Sequence, residues 1–249
     1  ASYRGGGLCG TISSSISLSS GAFVDISNNV ASRGGGIRVV LASSVTLNSG
    51  ALLHVINNRA VDNGGGIYLQ DEDTDLKADG IGTKILIKGN EALYGGGIYA
   101  TLFASIKVSS GAHLHVIKNT GKLSAGGIFL DDHAFLSIDG SGSKILIEEN
   151  TARVDGGGMI AQNSAAVKVS NAEMHVINNN ALDGGGGGLY FKRAGTRFDI
   201  ESNSYLLVQS NEAKTNGGGI AVADGAVIKL SSPSLFQNNT SINGHGGGL

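Results

Sequence analysis

The feature that most constrains this chain is a glycine run that returns at an almost constant interval. Runs such as Arg-Gly-Gly-Gly-Ile at 33–37 and Asn-Gly-Gly-Gly-Ile at 63–67 recur along all 249 residues. The interval is 30 residues from Gly36 to Gly66 and 31 from Gly66 to Gly97. A period this regular is the signature of a repeat protein, with almost no room for insertions. The last glycines of the runs are Gly7, Gly36, Gly66, Gly97, Gly127, Gly158, Gly188, Gly219 and Gly248.

A second motif precedes each glycine run and ends in asparagine. It carries an apolar residue three positions before the Asn and a small residue two positions after it, as in Val55, Asn58 and Ala60. The position five before the Asn is also apolar in nearly every copy, as at Leu53 and Ile85. We expect both apolar positions to face a common interior. The repeated asparagines are Asn29, Asn58, Asn90, Asn119, Asn150, Asn179, Asn211 and Asn239.

The segments between these motifs alternate polar and branched apolar residues, as in Ser-Val-Thr-Leu at 44–47 and Ser-Ile-Lys-Val at 105–108. This alternation is typical of β-strands. Strands this short can pair with their own copies in the next unit, one rung along at about 4.8 Å. The sequence therefore predicts an all-β fold, a right-handed single-stranded parallel β-helix (β-solenoid) of about eight coils of ~30 residues with three short strands per coil. We expect residues 1–249 to form one repeat-built domain, a fragment of a longer array.

Two columns of residues are expected at the corner between the third and first strands. Stacked asparagines can bond to one another along the axis and to nearby backbone groups. We therefore interpret the repeated Asn as a structural ladder rather than a ligand site. The glycines are expected to supply positive φ and to avoid a Cβ that would clash with the adjacent coil. The corner glycines are Gly36, Gly66, Gly97, Gly127, Gly158, Gly188 and Gly219.

The outer face of the third strand follows a period of two coils. Four residues before the Asn, His alternates with Leu, and two residues before it, Ile alternates with a polar residue. A contiguous apolar surface of this kind marks interfaces, although covering loops or plain strand propensity would also explain it. Histidines on alternate rungs lie about 10 Å apart, too far to share one metal ion, so we expect a solvated column. The candidate interface is His54, Ile56, Leu86, His115, Ile117, Leu146, His175, Ile177 and Leu207.

Two polar segments are candidates for calcium binding and for glycosylation. Asp71, Asp73 and Asp75 lie in an acidic turn whose oxygens could hold calcium, but their spacing differs from the known calcium loop, and a solvated turn is favoured. Asn238 and Asn239 begin overlapping glycosylation sequons. Because Asn239 is also the repeat asparagine and is expected to point inward, Asn238 is the better acceptor.

The residues give little support for an enzyme, a nucleic-acid-binding protein or a membrane-inserted protein. Asp131-Asp132 and His245 resemble polygalacturonase motifs but lie about four coils apart, so we predict no catalytic site, although a polysaccharide lyase or hydrolase stays a remote alternative. A formal net charge of −2 argues against nucleic acid. No apolar run approaches about 18 residues, so no membrane insertion is expected. The single cysteine, Cys9, excludes an intramolecular disulfide and is expected to be buried. No cofactor is implied.

The alternation of apolar-x-x-Asn with Gly-Gly-x-aliphatic resembles the repeats of chlamydial polymorphic outer membrane proteins. Those repeats carry FxxN and GGA[ILV] motifs, whereas here a third glycine replaces the Ala and only Phe236 supplies the Phe. The resemblance covers nearly the whole chain and implies a surface-exposed β-helix that acts in adhesion. We therefore expect an extracellular structural or adhesive rod or filament segment. Its partners would be further copies or neighbouring repeats of the same protein, and the alternative is a module that binds a glycan or a surface protein.

Overall fold

The computed structural model describes residues 5–249 and arranges them as four parallel β-sheets of eight strands each. Every fourth strand belongs to the same sheet, so one coil contributes one strand to each sheet in turn. Among the described residues, no helix has the length and apolar character needed to cross a membrane.

The first sheet begins directly after the glycine runs, and the second sheet holds the alternating segments. The first sheet consists of β1 (Leu8–Thr11), β5 (Ile37–Val40), β9 (Ile67–Gln70), β13 (Ile98–Thr101), β17 (Ile128–Leu130), β21 (Met159–Gln162), β25 (Leu189–Lys192) and β29 (Ile220–Ala223). The second consists of β2 (Ser15–Leu18), β6 (Ser44–Leu47), β10 (Asp75–Asp79), β14 (Ser105–Ser109), β18 (Phe135–Asp139), β22 (Ala166–Ser170), β26 (Arg197–Ile200) and β30 (Val227–Leu230).

The third sheet precedes the asparagines, and the fourth follows them. The third consists of β3 (Phe23–Ser27), β7 (Leu52–Ile56), β11 (Lys84–Lys88), β15 (His113–Ile117), β19 (Lys144–Glu148), β23 (Glu173–Ile177), β27 (Tyr205–Gln209) and β31 (Ser234–Gln237). The fourth consists of β4 (Val30–Arg33), β8 (Arg59–Asn63), β12 (Glu91–Tyr94), β16 (Thr120–Ser124), β20 (Thr151–Ala152), β24 (Asn180–Ala181), β28 (Glu212–Ala213) and β32 (Thr240–Ser241).

This arrangement confirms the predicted all-β parallel solenoid of about eight coils, numbered here one to eight from β1–β4 to β29–β32. Three strands per coil were predicted, and the structure adds a fourth. Its strands are only two to five residues long and carry one regularly buried position, as at Ala60 and Ala92. A single small inward residue gives no alternation, so the sequence pattern had no strand signal there.

The third sheet shows how the repeat sets the register. Val55 of β7 pairs with Ile87 of β11, which pairs in turn with Val116 of β15. Each inward position therefore stacks on its own copy at a rise of about 4.8 Å. Both apolar columns of this sheet enter one continuous core, as predicted, and Leu53 and Ile85 are 1% exposed. The first and second sheets contribute apolar residues to the same core, and burial of all these columns supplies the hydrophobic stabilisation.

The asparagine ladder is present, and the side chains of its interior members are saturated with hydrogen bonds. Asn119 is fully buried, and its Oδ1 accepts from the backbone N–H and Nδ2 of Asn90 at 2.9 and 3.0 Å. Its Nδ2 donates to the carbonyl of Ile87 and to Oδ1 of Asn150, both at 3.0 Å. An amide side chain has two donor hydrogens and two acceptor lone pairs, so Asn119 leaves none of its own capacity unused.

Two roles were predicted for the corner glycines, and the structure supports only one of them. Positive φ occurs two residues before the last glycine of a run, as at Gly64 (64°) and Gly95 (60°), and not at the last glycine. In the run that precedes β17, Ala125 holds that position with a φ of 54°. A Cβ at Gly127, the last of its run, would lie 2.4 Å from the carbonyl oxygen of Gly158. The predicted positive φ at the last glycine is thus wrong, whereas the predicted clash with an adjacent coil is present.

Candidate interaction surface

The outer face of the third sheet carries the residues that the two-coil period singled out. On β7, β11 and the other central strands, burial alternates along the strand, so that every second side chain points outward and is partly exposed. Successive strands pair in register, which stacks the outward residues into three columns. From coil two to coil seven, the His/Leu column is His54, Leu86, His115, Leu146, His175 and Leu207.

Two further columns flank the His/Leu column. The column on the C-terminal side of the strands, here the Ile column, is Ile56, Lys88, Ile117, Glu148, Ile177 and Gln209. The column on the N-terminal side, here the Lys column, is Leu52, Lys84, His113, Lys144, Glu173 and Tyr205. The structure thus brings all nine predicted interface residues onto one face, with aliphatic side chains on every coil from two to seven.

Each histidine of the His/Leu column packs against a ring from the neighbouring column. The His113 and His115 rings stack with centroids 6.0 Å apart. His175 meets the edge of Tyr205 at 5.9 Å, and His54 meets Phe23 at 4.9 Å. These contacts leave all three rings only partly exposed, so the expected solvated column is replaced by a packed one.

Packing changes the protonation of these rings. Burial, aided by nearby Lys84, His113 and Lys144, lowers the pKa of His115 to about 4. Burial and Lys144 also lower the pKa of His175, and Glu173 only partly offsets them. Both rings are therefore neutral near pH 7, and the face presents uncharged imidazoles between aliphatic side chains.

The lowered pKa of His115 makes folding stability depend on pH. An unfolded histidine has a pKa near 6.5, so between about pH 6.5 and 4 the unfolded chain binds a proton that folded His115 does not. The free energy of unfolding should therefore fall as pH drops through this window. We expect His115→Leu to remove on the order of 1 kcal/mol of that loss, since solvent screens a half-exposed ring. Urea unfolding at pH 7.5 and 4.5 would measure it, and equal losses in both proteins would contradict the assignment.

The three calcium candidates are not drawn together. Asp71 accepts from the backbone N–H of Leu41 at 3.1 Å, which fixes it to the coil before. Asp75 lies 2.7 Å from Lys77 and 3.0 Å from Lys107. Burial raises the pKa of Asp75, but bonds from these lysines and a serine outweigh it and hold the pKa below its usual value. Within residues 5–249 no group of three or more His, Cys, Asp or Glu is positioned to hold a metal ion.

The carboxylate of Asp131, considered above for hydrolysis, is engaged in hydrogen bonds. Its Oδ2 accepts from the Tyr99 hydroxyl at 3.2 Å. Its Oδ1 accepts from the side-chain amides of Gln162 and Asn163 at 3.2 and 2.6 Å. Asp131 follows β17 of coil five, whereas His245 follows β32 of coil eight. The structure therefore leaves these two groups well separated along the axis.

Two single-residue predictions have clear structural outcomes. Cys9 was expected to be buried, and this is wrong, because its side chain points outward from β1 and is exposed. Asn238 is exposed and has a positive φ of 55°. Asn239 instead belongs to the ladder, where its Oδ1 accepts from Asn211 at 3.0 Å. The placement of Asn238 as the accessible sequon asparagine agrees with the prediction.

A column of aromatic residues on the outer face of the first sheet was missed. The rings of Tyr68 and Tyr99 stack with centroids 5.7 Å apart, and those of Tyr99 and Phe129 at 5.1 Å. Tyr94 of the fourth sheet covers Phe129 edge-on at 5.9 Å. Tyr68 and Phe129 are only 2% and 5% exposed, so the column closes the glycine corner rather than forming an open platform. Its sequence signal is an aromatic second residue after four of the glycine runs, at Tyr68, Tyr99, Phe129 and Tyr190.

Fold and surface together define the class of this protein: it is a parallel β-solenoid repeat protein with one laterally exposed, partly apolar sheet face. In comparisons with known proteins, no family model, no curated protein and no solved structure matches the chain.

Proposed function

We propose that the chain is a structural or adhesive rod segment of an extracellular repeat protein, without catalysis, that associates laterally through the outer face of its third sheet. The observation that carries the proposal is the continuity of that face. The His/Leu and Ile columns together place one aliphatic side chain on each of coils two to seven, from Ile56 to Leu207. Contiguous apolar surface of this kind marks interaction sites.

The uniformity of the coils supports a rod. The strands of the first three sheets pair in register from coil one to coil eight, and eight rungs at about 4.8 Å extend about 38 Å. Solenoids of this type present long surfaces in which each repeat adds one increment to the contact. The likeness of the Asn and glycine motifs to repeats of chlamydial polymorphic outer membrane proteins favours a cell-surface setting and an adhesive role.

Charged substitutions on the face test this proposal. We expect Ile117→Asp with Leu146→Asp to weaken self-association at least tenfold, because two apolar contacts of roughly 1 kcal/mol each are replaced by carboxylates that must lose water. Sedimentation velocity across a concentration series would measure the change. Both positions are outward and partly exposed, so the coil interior is left intact.

A matched pair on another face provides the control. Val61 and Leu182 are 51% and 50% exposed and lie on the side of the fourth sheet. Val61→Asp with Leu182→Asp should leave association unchanged. Equal association of the face variant and the original chain would overturn the proposal.

A further inference from the structure

We propose that two copies of this chain pack antiparallel through the outer faces of their third sheets, about a two-fold axis between coils four and five. The inference rests on the proposed function, because it assigns the partner and the geometry of the same lateral contact. Three properties of the face carry it: the alternation of its central column, the signs of its flanking charges and its area.

The geometry follows from the symmetry. A two-fold axis parallel to the strands reverses the direction of the rod and keeps the strand direction, so each column faces itself on the other copy. Coil four then faces coil five, coil three faces coil six, and coil two faces coil seven. Every contact pairs an even coil with an odd coil.

This pairing uses the two-coil alternation of the His/Leu column. In coils two to seven, histidines occupy the even coils and leucines the odd coils, so every histidine faces a leucine of the other copy and no histidine faces another. The imidazole rings thus pack against aliphatic side chains and are covered together with them. The facing pairs are His54 with Leu207, Leu86 with His175, and His115 with Leu146.

The charges of the Lys column agree with the same axis. Lys84 of coil three faces Glu173 of coil six on the other copy, and symmetry produces this pair twice. Glu173 also lies 3.3 Å from Lys144 of its own chain, so Lys84 of the other copy would add a second cation to that carboxylate. Opposite charges placed across an interface favour one arrangement over others. Moving the axis onto coil four would instead set Lys84 against Lys144 and His54 against His175.

A parallel arrangement fits the charges less well. A two-fold axis along the rod sets each coil against its own copy and exchanges the two flanking columns. Lys84 then faces Lys88, and His115 faces itself. Lys144 meets Glu148 in that arrangement, so each opposite-charge pair is matched by a like-charge pair.

The area of the face suffices for a weak dimer. The third sheet has eight strands, and eight rungs of about 4.8 Å and five residues of about 3.3 Å give a projected area of roughly 630 Å² per copy, or about 1,250 Å² in total. Coils two to seven account for about 475 Å² of the area of each copy. Stable interfaces bury about 1,200–2,000 Å². The area therefore falls at the lower end of the range for stable interfaces.

Two charge reversals test the arrangement in the full 249-residue chain. Lys84→Glu places two carboxylates opposite each other in the antiparallel dimer, and Glu173→Lys places two ammonium groups there. We expect each variant alone to dimerise at least tenfold more weakly than the original chain in sedimentation equilibrium. A mixture of the two variants should recover the original affinity to within about threefold, because the mixed dimer restores opposite charges at both sites.

Controls separate this result from loss of folding and from the broader proposal. Lys229→Glu makes the same charge change at an exposed position of β30 and should leave dimerisation unchanged. Circular dichroism would show that each variant keeps its strand content, and recovery in the mixture itself requires folded chains.

The alternative outcomes are distinct. Tighter association of Lys84→Glu alone would identify the parallel arrangement and overturn the antiparallel one, with lateral association intact. Association that is unchanged by both charge reversals but is lost in the Ile117→Asp, Leu146→Asp variant would overturn the antiparallel axis. It would still support the third sheet's outer face as the contact surface. A chain that stays monomeric at all concentrations would overturn this inference and the self-association in the proposed function together.

Discussion

Replacing Asn119 by alanine is expected to lower the free energy of unfolding by about 4 kcal/mol, since several buried groups would lose their partners. The Asn119 side chain bonds to the backbone N–H and side chain of Asn90, the carbonyl of Ile87 and the side chain of Asn150. All of these groups lie in the buried corner. An unsatisfied buried polar group costs about 1–3 kcal/mol, and partial relaxation of the corner should keep the sum below the maximum.

Urea unfolding followed by circular dichroism would measure the loss. Asn180→Thr is the matched control, because Asn180 shares a column with Thr120 and Thr151 on the fourth sheet. A threonine is already accommodated there on two coils, so this change should cost less than about 0.5 kcal/mol. Equal small losses in the two variants would show that the ladder is not a principal source of stability.

Replacing Gly127 by alanine should be comparably destabilising, at about 3 kcal/mol or more. The new Cβ would lie 2.4 Å from the carbonyl oxygen of Gly158, a backbone atom of the next coil. That carbonyl already accepts from the backbone N–H groups of Gly127 and Ile128 at 3.1 and 3.0 Å. Relief of the clash would require separating the two coils, and this would break hydrogen bonds in the ladder.

Gly10→Ala is the control for this prediction. A Cβ at Gly10 would meet its nearest neighbour, the Ser14 hydroxyl, at 3.4 Å. Gly10 pairs with Val39 in the register of the first sheet, so its column already accepts larger side chains. The control should unfold at the same urea concentration as the original chain or slightly higher. A Gly127→Ala protein as stable as this control would contradict the close approach of the coils.

The repeat determined most of what all coils share. Coil length, the two apolar columns of the third sheet and the position of the asparagine corner follow from periodicity, because stacking in register places each residue on its own copy. The outward alternation of His with Leu could be predicted for the same reason. The fourth strand could not be predicted, because a stretch with one inward alanine, such as Ala60 or Ala92, has no alternation to detect.

The environment of individual side chains was the harder part of the surface to predict. His115 was expected to be solvated, yet the neighbouring His113 ring covers it and its pKa falls to about 4. Whether Asp75 would meet a cation depended on Lys107, one coil away, as much as on Lys77 beside it. Such contacts are set by residues that differ from coil to coil.

The sequence by itself therefore determined the solenoid, its register and the face on which to look for a partner. Only the tertiary structure decided which glycine turns the corner, that Cys9 is exposed, and that aromatic rings close the outside of the first sheet. The physical reason is that a period of ~30 residues specifies what repeats, whereas clashes, ring stacking and exposure depend on where neighbouring coils and sheets approach one another.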